Sequence, residues 1–168
     1  MNALKTRRSC RAYKPEHVGE EKLNAIIEAG TYASTGMGKQ SLIILVIKDP
    51  AVREQLRKLN AAAMGMDIAP FYGAPDLLVV LANKDIPTYI YDGSLVMGNM
   101  MNAAADLGVA GCWVHRAKEE FQSEEGKSIL KKLGIEGNYE GIGNLILGYA
   151  AKSEGTAAPR KADYIYRV

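Results

Sequence analysis

A chain of 168 residues suits one domain and can bury about two-thirds of its unfolded surface. With 48% hydrophobic and 24% charged residues it has an ordinary globular composition, and a net charge of only +2 argues against a general nucleic-acid binder. No apolar run approaches the ~20 residues of a membrane span.

The first unusual stretch is RRSCRAYKPE (7–16), with three arginines in five residues. Lys5, Arg7 and Arg8 precede a polar run rather than an apolar signal-peptide core, so a cytoplasmic, reducing compartment is expected. Cys10 and Cys112 are read as inert small hydrophobes. With His17 and His115 they match no zinc spacing, and no metal is expected. Residues 19–33 carry Leu23, Ile26, Ile27, Ala29 and Gly30 at helical spacing behind an acidic first turn. SLIILVIKD (41–49) reads as a buried strand. The following segment reads as a helix with Asp49 as N-cap and Pro50 at the first helical position. APDLLVVLANKD (74–85) is a second strand.

Residues 89–107, rich in Met, Ala and Gly on several faces, predict a buried central helix stopped by Gly108 and suited to a subunit interface. VAGCWVH (109–115) is a third strand. SEEGKSILKKLGI predicts a short amphipathic helix capped by Ser123 and closed by Gly134, and GIGNLILGYA (141–150) is a fourth strand. The tail starts as a loop and ends in the alternating DYIYRV, expected as an edge strand. The whole is an α+β (mixed α/β) domain: a central, mostly antiparallel sheet of four to five strands flanked by helices.

GMGKQS (36–41) imitates a phosphate-binding P-loop and fails as one. Gln40 separates Gly-Lys from Ser41, position 33 is alanine where the first glycine should stand, and the loop opens a strand rather than a helix. The basic cluster is the better anion site. Arginine offers bidentate donors suited to phosphate, and in an extended segment Arg7, Ser9 and Arg11 share one side while Arg8 faces elsewhere. A second basic pair, Arg160-Lys161 after Pro159, could close on the same anion.

These motifs together resemble the nitroreductase family. RRSCRAYKPE is similar to its Arg-x-Ser-x-Arg-x-Phe/Tyr opening, and ASTGMGKQS to its Pro-Ser-x-x-Asn-x-Gln loop. DGSLVMGNMMNAAADLGVAGCW resembles its central helix and Cys-Trp exit, GNLILGYA its late strand, and PRK its closing basic motif. The resemblance implies a nitroreductase-like fold with FMN at a homodimer interface. Arg7, Ser9 and one or both of Arg160 and Lys161 would hold the phosphate. Arg8 is counted with them as part of the motif. Arg11 would lie at the N1/O2 edge of the ring, where a cation stabilises charge gained on reduction. Thr35, Gly38 and Gln40 would line the pyrimidine side. Trp113, Val114 and His115 would face the ring, with a backbone N–H available to N5.

Gly38 stands where the family pattern has asparagine, and His115-Arg116 where some members have Glu-Gly. Trp113 suits the core as well as a pocket wall, His115 is open as a general acid or a spectator, and Lys39 as a solvated charge or a flavin contact. The implied activity is transfer of electrons from NADH or NADPH through FMN to a small-molecule acceptor, a nitroaromatic, quinone or similar compound, in a ping-pong cycle. A non-catalytic flavin-binding or flavin-sensing module, reductive dehalogenation and flavin fragmentation are the rivals. Residues 60–75 form a short candidate lid.

Overall fold

The computed structural model describes residues 2–66, 68–153 and 155–168. Its sheet is built around β2 (Asp76–Asn83), buried along nearly its whole length. A strand apolar on both faces is stable only in a sheet covered on both sides. β2 pairs with β1 (Leu42–Ile47) on one flank and with β4 (Tyr139–Gly148) on the other. β3 (Ala110–Val114) lies outside β4. All three pairings are antiparallel, in the order β1-β2-β4-β3.

The register explains which side chains meet which helices. Leu78, Val80 and Ala82 of β2 join the core under α2 (Glu20–Thr31) and α4 (Tyr89–Asp106). Leu77, Val79 and Leu81 point to the other core, under α3 (Pro50–Met64), α5 (Ala117–Gln122) and α6 (Glu124–Lys132). In β4 the pairing jumps from Val80–Gly143 to Leu81–Gly141, so Ile142 is the extra residue of a bulge. The bulge reverses the alternation. Ile142 therefore shares a face with Leu145 and Leu147, while Ile146 faces the opposite core.

The helix ends follow local chemistry. The Asp49 carboxylate accepts from the Ala51 N–H at 2.7 Å and Pro50 opens α3, which Gly65 ends at φ 64°. Ser123 Oγ accepts from the Gly126 N–H at 3.0 Å to start α6. Small residues let α4 sit close to its neighbours. A Cβ on Gly93 would stand 3.0 Å from Ile142 Cγ2, and one on Gly30 of α2 would stand 2.7 Å from Met100 Cγ.

Three features differ from expectation. A short α1 (Asn2–Thr6) precedes the basic cluster, and α5 fills the gap between β3 and α6; both are too short for periodicity to announce. The tail 163–168 is not an edge strand. Ala162–Tyr164 form a 3-10 turn, and the described residues from 151 onward are exposed. DYIYRV alternates as a strand does, but among the described residues no strand supplies a hydrogen-bonding ladder for it. Cys10 and Cys112 are buried and unbridged, as read. Among the described residues no helix is long and apolar enough to cross a membrane.

Candidate functional site

The basic cluster runs along the outer edge of the sheet. Ser9 bridges to Gly111 of β3 in parallel, and the Cys10 N–H donates to the Gly111 carbonyl at 3.2 Å. The strap continues to Tyr13, which bridges to Ala150 just after β4. Arg7 still belongs to the turn that ends α1, its N–H donating to the Ala3 carbonyl at 2.9 Å. Side-chain alternation therefore begins only at Ser9.

Arg8 ties this junction together, its Nη1 donating to the Lys5 carbonyl at 3.0 Å and the Arg7 carbonyl at 2.6 Å. Among the described residues, Arg7 Nη1 and Arg8 Nε are buried without a hydrogen-bond partner. Unpaired buried donors on permanently charged groups are costly, and an anion is their natural complement. Arg160 and Lys161 do not close on this point. Arg160 folds back on the Ala158 carbonyl, and Lys161 lies 5.6 Å from the Tyr164 ring centroid.

Two residues after Ser9, Arg11 reaches a cleft of about 220 Å³. Trp113, Val114, His115 and Arg116 from the end of β3 form one wall, and Ile68, Pro70 and Tyr72 help form another. The strap, the β3 exit and the second half of the 60–75 segment thus converge. That segment is anchored rather than loose: Phe71 and Ala74 are buried in the core below it. Trp113 is both core and wall, packing against the α2/α4 cluster while edging the cleft. Gly143 makes its seat, because a Cβ there would be 2.6 Å from Trp113 Cε2. Chemically the cleft is a slot with apolar walls and, among the described residues, one free cation at its edge, Arg11. Arg116 is already paired with Glu119 at 3.0 Å.

The turn beyond β3 is strained. Arg116 sits at φ 83°, a conformation that favours glycine. The residue before it is held from behind: Asn60 of α3 donates its side-chain N–H to the His115 carbonyl at 2.7 Å. The same amide donates to Glu120, which also accepts from Asn144 at 2.7 Å. Burial pushes the Glu120 carboxyl up to about 7, against the lowering effect of the two amide hydrogen bonds, and the charge on Glu119 adds to the rise. Asn60, Glu120 and Asn144 were absent from the sequence reading. The signal for them was present. Glu120 shares the buried stripe of Ala117 and Phe121, and Asn144 interrupts an otherwise apolar strand.

Thr35, Gly38 and Gln40 lie elsewhere, in the loop leading into β1. Thr35 Oγ1 accepts from the Gln40 N–H at 3.1 Å, so its hydroxyl oxygen serves the loop itself. The buried Asp92 clamps the loop to the start of α4, accepting from the Gly36 N–H at 3.0 Å and the Thr88 hydroxyl at 2.9 Å. Gly38 has φ 66°, a conformation that glycine and asparagine both tolerate, so the glycine meets the same backbone demand as the asparagine of the pattern. Thr35 and Gln40 border a second cleft of about 320 Å³ beside β1 and α2. β1 and β3 are the outer strands, three strand spacings or about 14 Å apart. The expected site residues thus form two groups at opposite edges of the sheet.

A profile of the nitroreductase family matches residues 4–69. A nitroreductase from Bacteroides fragilis, solved with FMN bound, superposes with a TM-score of 0.88 at 28% identity, over 99% of this chain and 97% of that one. In sequence and in fold the chain is similar to nitroreductases. A second nitroreductase-family structure, from Desulfitobacterium hafniense and also with bound FMN, superposes at 0.87 with 25% identity, over 99% and 97% of the two chains. An Archaeoglobus fulgidus protein named provisionally as an NADH dehydrogenase/NAD(P)H nitroreductase is 28% identical over 89% of this chain and 84% of its own. The nitroreductase fold accounts for the antiparallel sheet and its flanking helices.

Proposed function

We propose that this chain is an FMN-dependent oxidoreductase that passes electrons from NADH or NADPH to a small-molecule acceptor such as a nitroaromatic or quinone. The carrying observation is the pair of buried, unpartnered guanidinium nitrogens of Arg7 and Arg8, on a strap that leads to Arg11 in the slot at β3. A ligand with phosphate at one end and a planar ring at the other matches that sequence of groups. FMN supplies the two-electron chemistry when bound, and two of the superposed structures hold it.

The chain's own residues do the rest. Arg7 and Ser9 hold the phosphate, with Arg8 fixing the junction behind them. Arg11 keeps a positive charge at the ring edge where negative charge accumulates, and a fixed cation acts more strongly there than in water. Trp113 and Val114 support the ring and exclude water, and the turn at His115 offers backbone N–H groups. No side chain is needed as a proton donor in this reading, so His115 is a cleft wall.

The working unit is a homodimer. Tyr91 and Leu95 of α4 stand exposed, Tyr32 and Met37 flank them around the 35–40 loop, and the tail exposes Tyr164, Ile165 and Tyr166. Large apolar groups clustered on a surface mark an interface. A second copy would bring Thr35, Gly38 and Gln40 to a cleft they do not reach within one chain, and offers the route by which Arg160 and Lys161 meet the phosphate. The visible spectrum of the purified protein, with mass identification of the chromophore released on boiling, tests the cofactor. Steady-state NAD(P)H oxidation with menadione separates an enzyme from a binding module. A colourless protein that takes up no FMN, or a yellow one that does not turn over, refutes the respective half.

A further inference from the structure

The Asn60–Glu120–Asn144 cluster lies on the far side of the β3 exit and joins three elements, α3, α5 and β4. All three side chains are fully buried. Glu120 Oε1 accepts from both amides, while its Oε2 has no partner. Asn60 Oδ1 and Asn144 Oδ1 are likewise unpaired among the described residues. Three acceptors without a protein partner lie together in one buried pocket. A proton on the carboxyl gives that pocket a donor and removes a buried charge that has no counter-ion.

Among the described residues no cation forms an ion pair with Glu120, the α3 cation Arg53 included. On α5, Glu119 is paired with Arg116, and Lys118 with Glu140 of β4, which Lys84 also approaches. On α3, Arg57 is engaged by Glu54 and the Ile68 carbonyl, and Lys58 lies by Glu54. On α6, Lys127 and Glu124 pair with each other. β3 presents Cys112 and Val114 to this core, and the Ser123 hydroxyl bonds the backbone carbonyl of Glu120 rather than its carboxyl. The charge of Glu119, of like sign, acts on Glu120 over distance.

The cluster reaches the cleft from behind: Asn60 donates to the His115 carbonyl, the Glu120 backbone N–H donates to the carbonyl of the next residue, Arg116, at 3.0 Å, and Asn144 pairs with Val114 across the β3–β4 ladder; Arg116 itself sits at φ 83°. A turn held in a left-handed conformation by a non-glycine residue persists only where its surroundings fix it. We propose that Glu120 is a positioning residue: while it is a neutral acid the pocket holds no unpaired charge and Asn60 stays seated on the strained His115–Arg116 turn, and ionisation, by placing an uncompensated charge in that pocket, loosens this wall of the cleft. The consequence for catalysis rests on the flavin reading above; the coupling of turn to carboxyl does not.

With the carboxyl held near 7, the lock is closed in mildly acidic solution and opens as pH rises. The test is hydrogen exchange of the 115–117 amides in the protein as purified, corrected for intrinsic rates, at pH 6 and pH 8. Difference infrared spectra across the same interval follow the acid C=O band. Wild type should lose protection about tenfold, the change in ionised fraction for a group titrating near 7. The acid band should fade with the same midpoint. Glu120→Gln keeps the shape without the proton and should show flat protection and no titrating band. Asn60→Ala should leave the band and lower protection at both pH values, which covers the case in which Glu120→Gln does not fold. Equal pH dependence in wild type and Glu120→Gln, or a wild-type protein without a titrating acid band, overturns the proposal. A flavin-free protein that passes both tests sinks the flavin reading alone. A yellow protein with pH-flat protection sinks this proposal alone.

Discussion

Replacing Gly143 by alanine should damage the protein through one side chain, Trp113. The added Cβ would lie nearest Nε1, 2.6 Å from Cε2 and 2.9 Å from Cδ1 of the indole. Carbon atoms settle at about 3.5–4.0 Å, so the overlap is roughly an ångström and the indole cannot bend to relieve it. β4 is an inner strand fixed on both flanks, whereas β3 is outer, so Trp113 and its strand must move. Overpacking of this kind costs about 1–3 kcal/mol, and a rigid neighbour puts it in the upper half of that range. For a chain of this length each kcal/mol is worth about 2–4 °C, giving a fall in Tm of about 5–10 °C by calorimetry. Trp113 is the one tryptophan in the chain, so its fluorescence reports the displacement directly. In a Trp113→Ala background the same Gly143→Ala change should cost close to nothing, as a double-mutant cycle requires of a purely pairwise clash. Unchanged Tm and emission in the single variant, or an equal loss in both backgrounds, would refute the reasoning.

The other expectations concern the ligand, pH and assembly. Arg7→Ala should weaken FMN by about 2–5 kcal/mol, the cost of truncating one partner of a buried charge pair, while riboflavin affinity holds; equal losses would move Arg7 away from the phosphate. Arg11→Gln should lower the flavin midpoint potential by about 30 mV, equivalent to about 1.4 kcal/mol for two electrons, and Arg8→Gln should leave it alone; spectroelectrochemical titration decides. Because the folded protein holds the Glu120 proton more tightly than the unfolded chain, stability should fall as pH rises from about 4.5 to about 7. Urea melts should show wild type losing about 3 kcal/mol relative to Glu120→Gln across that window, with no further divergence above it. Light scattering should give a dimer at micromolar concentration that Leu95→Lys weakens; a stable FMN-loaded monomer would contradict the interface reading.

Much of the architecture was legible because its signals are local. Asp49-Pro50 caps and opens α3, Ser123 starts α6, and Gly108 at φ 72° and Gly134 at φ 67° stop helices where only a left-handed residue fits. The unbroken apolar run of β2 marked an inner strand, since its burial needs no partner's identity to be inferred. Arg7, Ser9 and Arg11 stood out by charge density and Trp113–His115 by position, and the fold brings Arg11 to the β3 exit.

What tertiary structure alone decided are matters of partnership. DYIYRV has the alternation of a strand, yet a strand exists only where another backbone completes its ladder, and among the described residues none does. That Thr35 and Gln40 lie, within one chain, at the opposite edge of the sheet from Arg11 is decided by strand order alone. The register of β4 depends on a bulge at Ile142 that the residue pattern does not announce. Asn60, Glu120 and Asn144 are 60 and 24 residues apart in sequence. Position hinted that Glu120 and Asn144 were buried, but that they meet Asn60 emerged only when α3, α5 and β4 closed around them, because hydrogen-bond partners are properties of the packed chain and not of any segment of it.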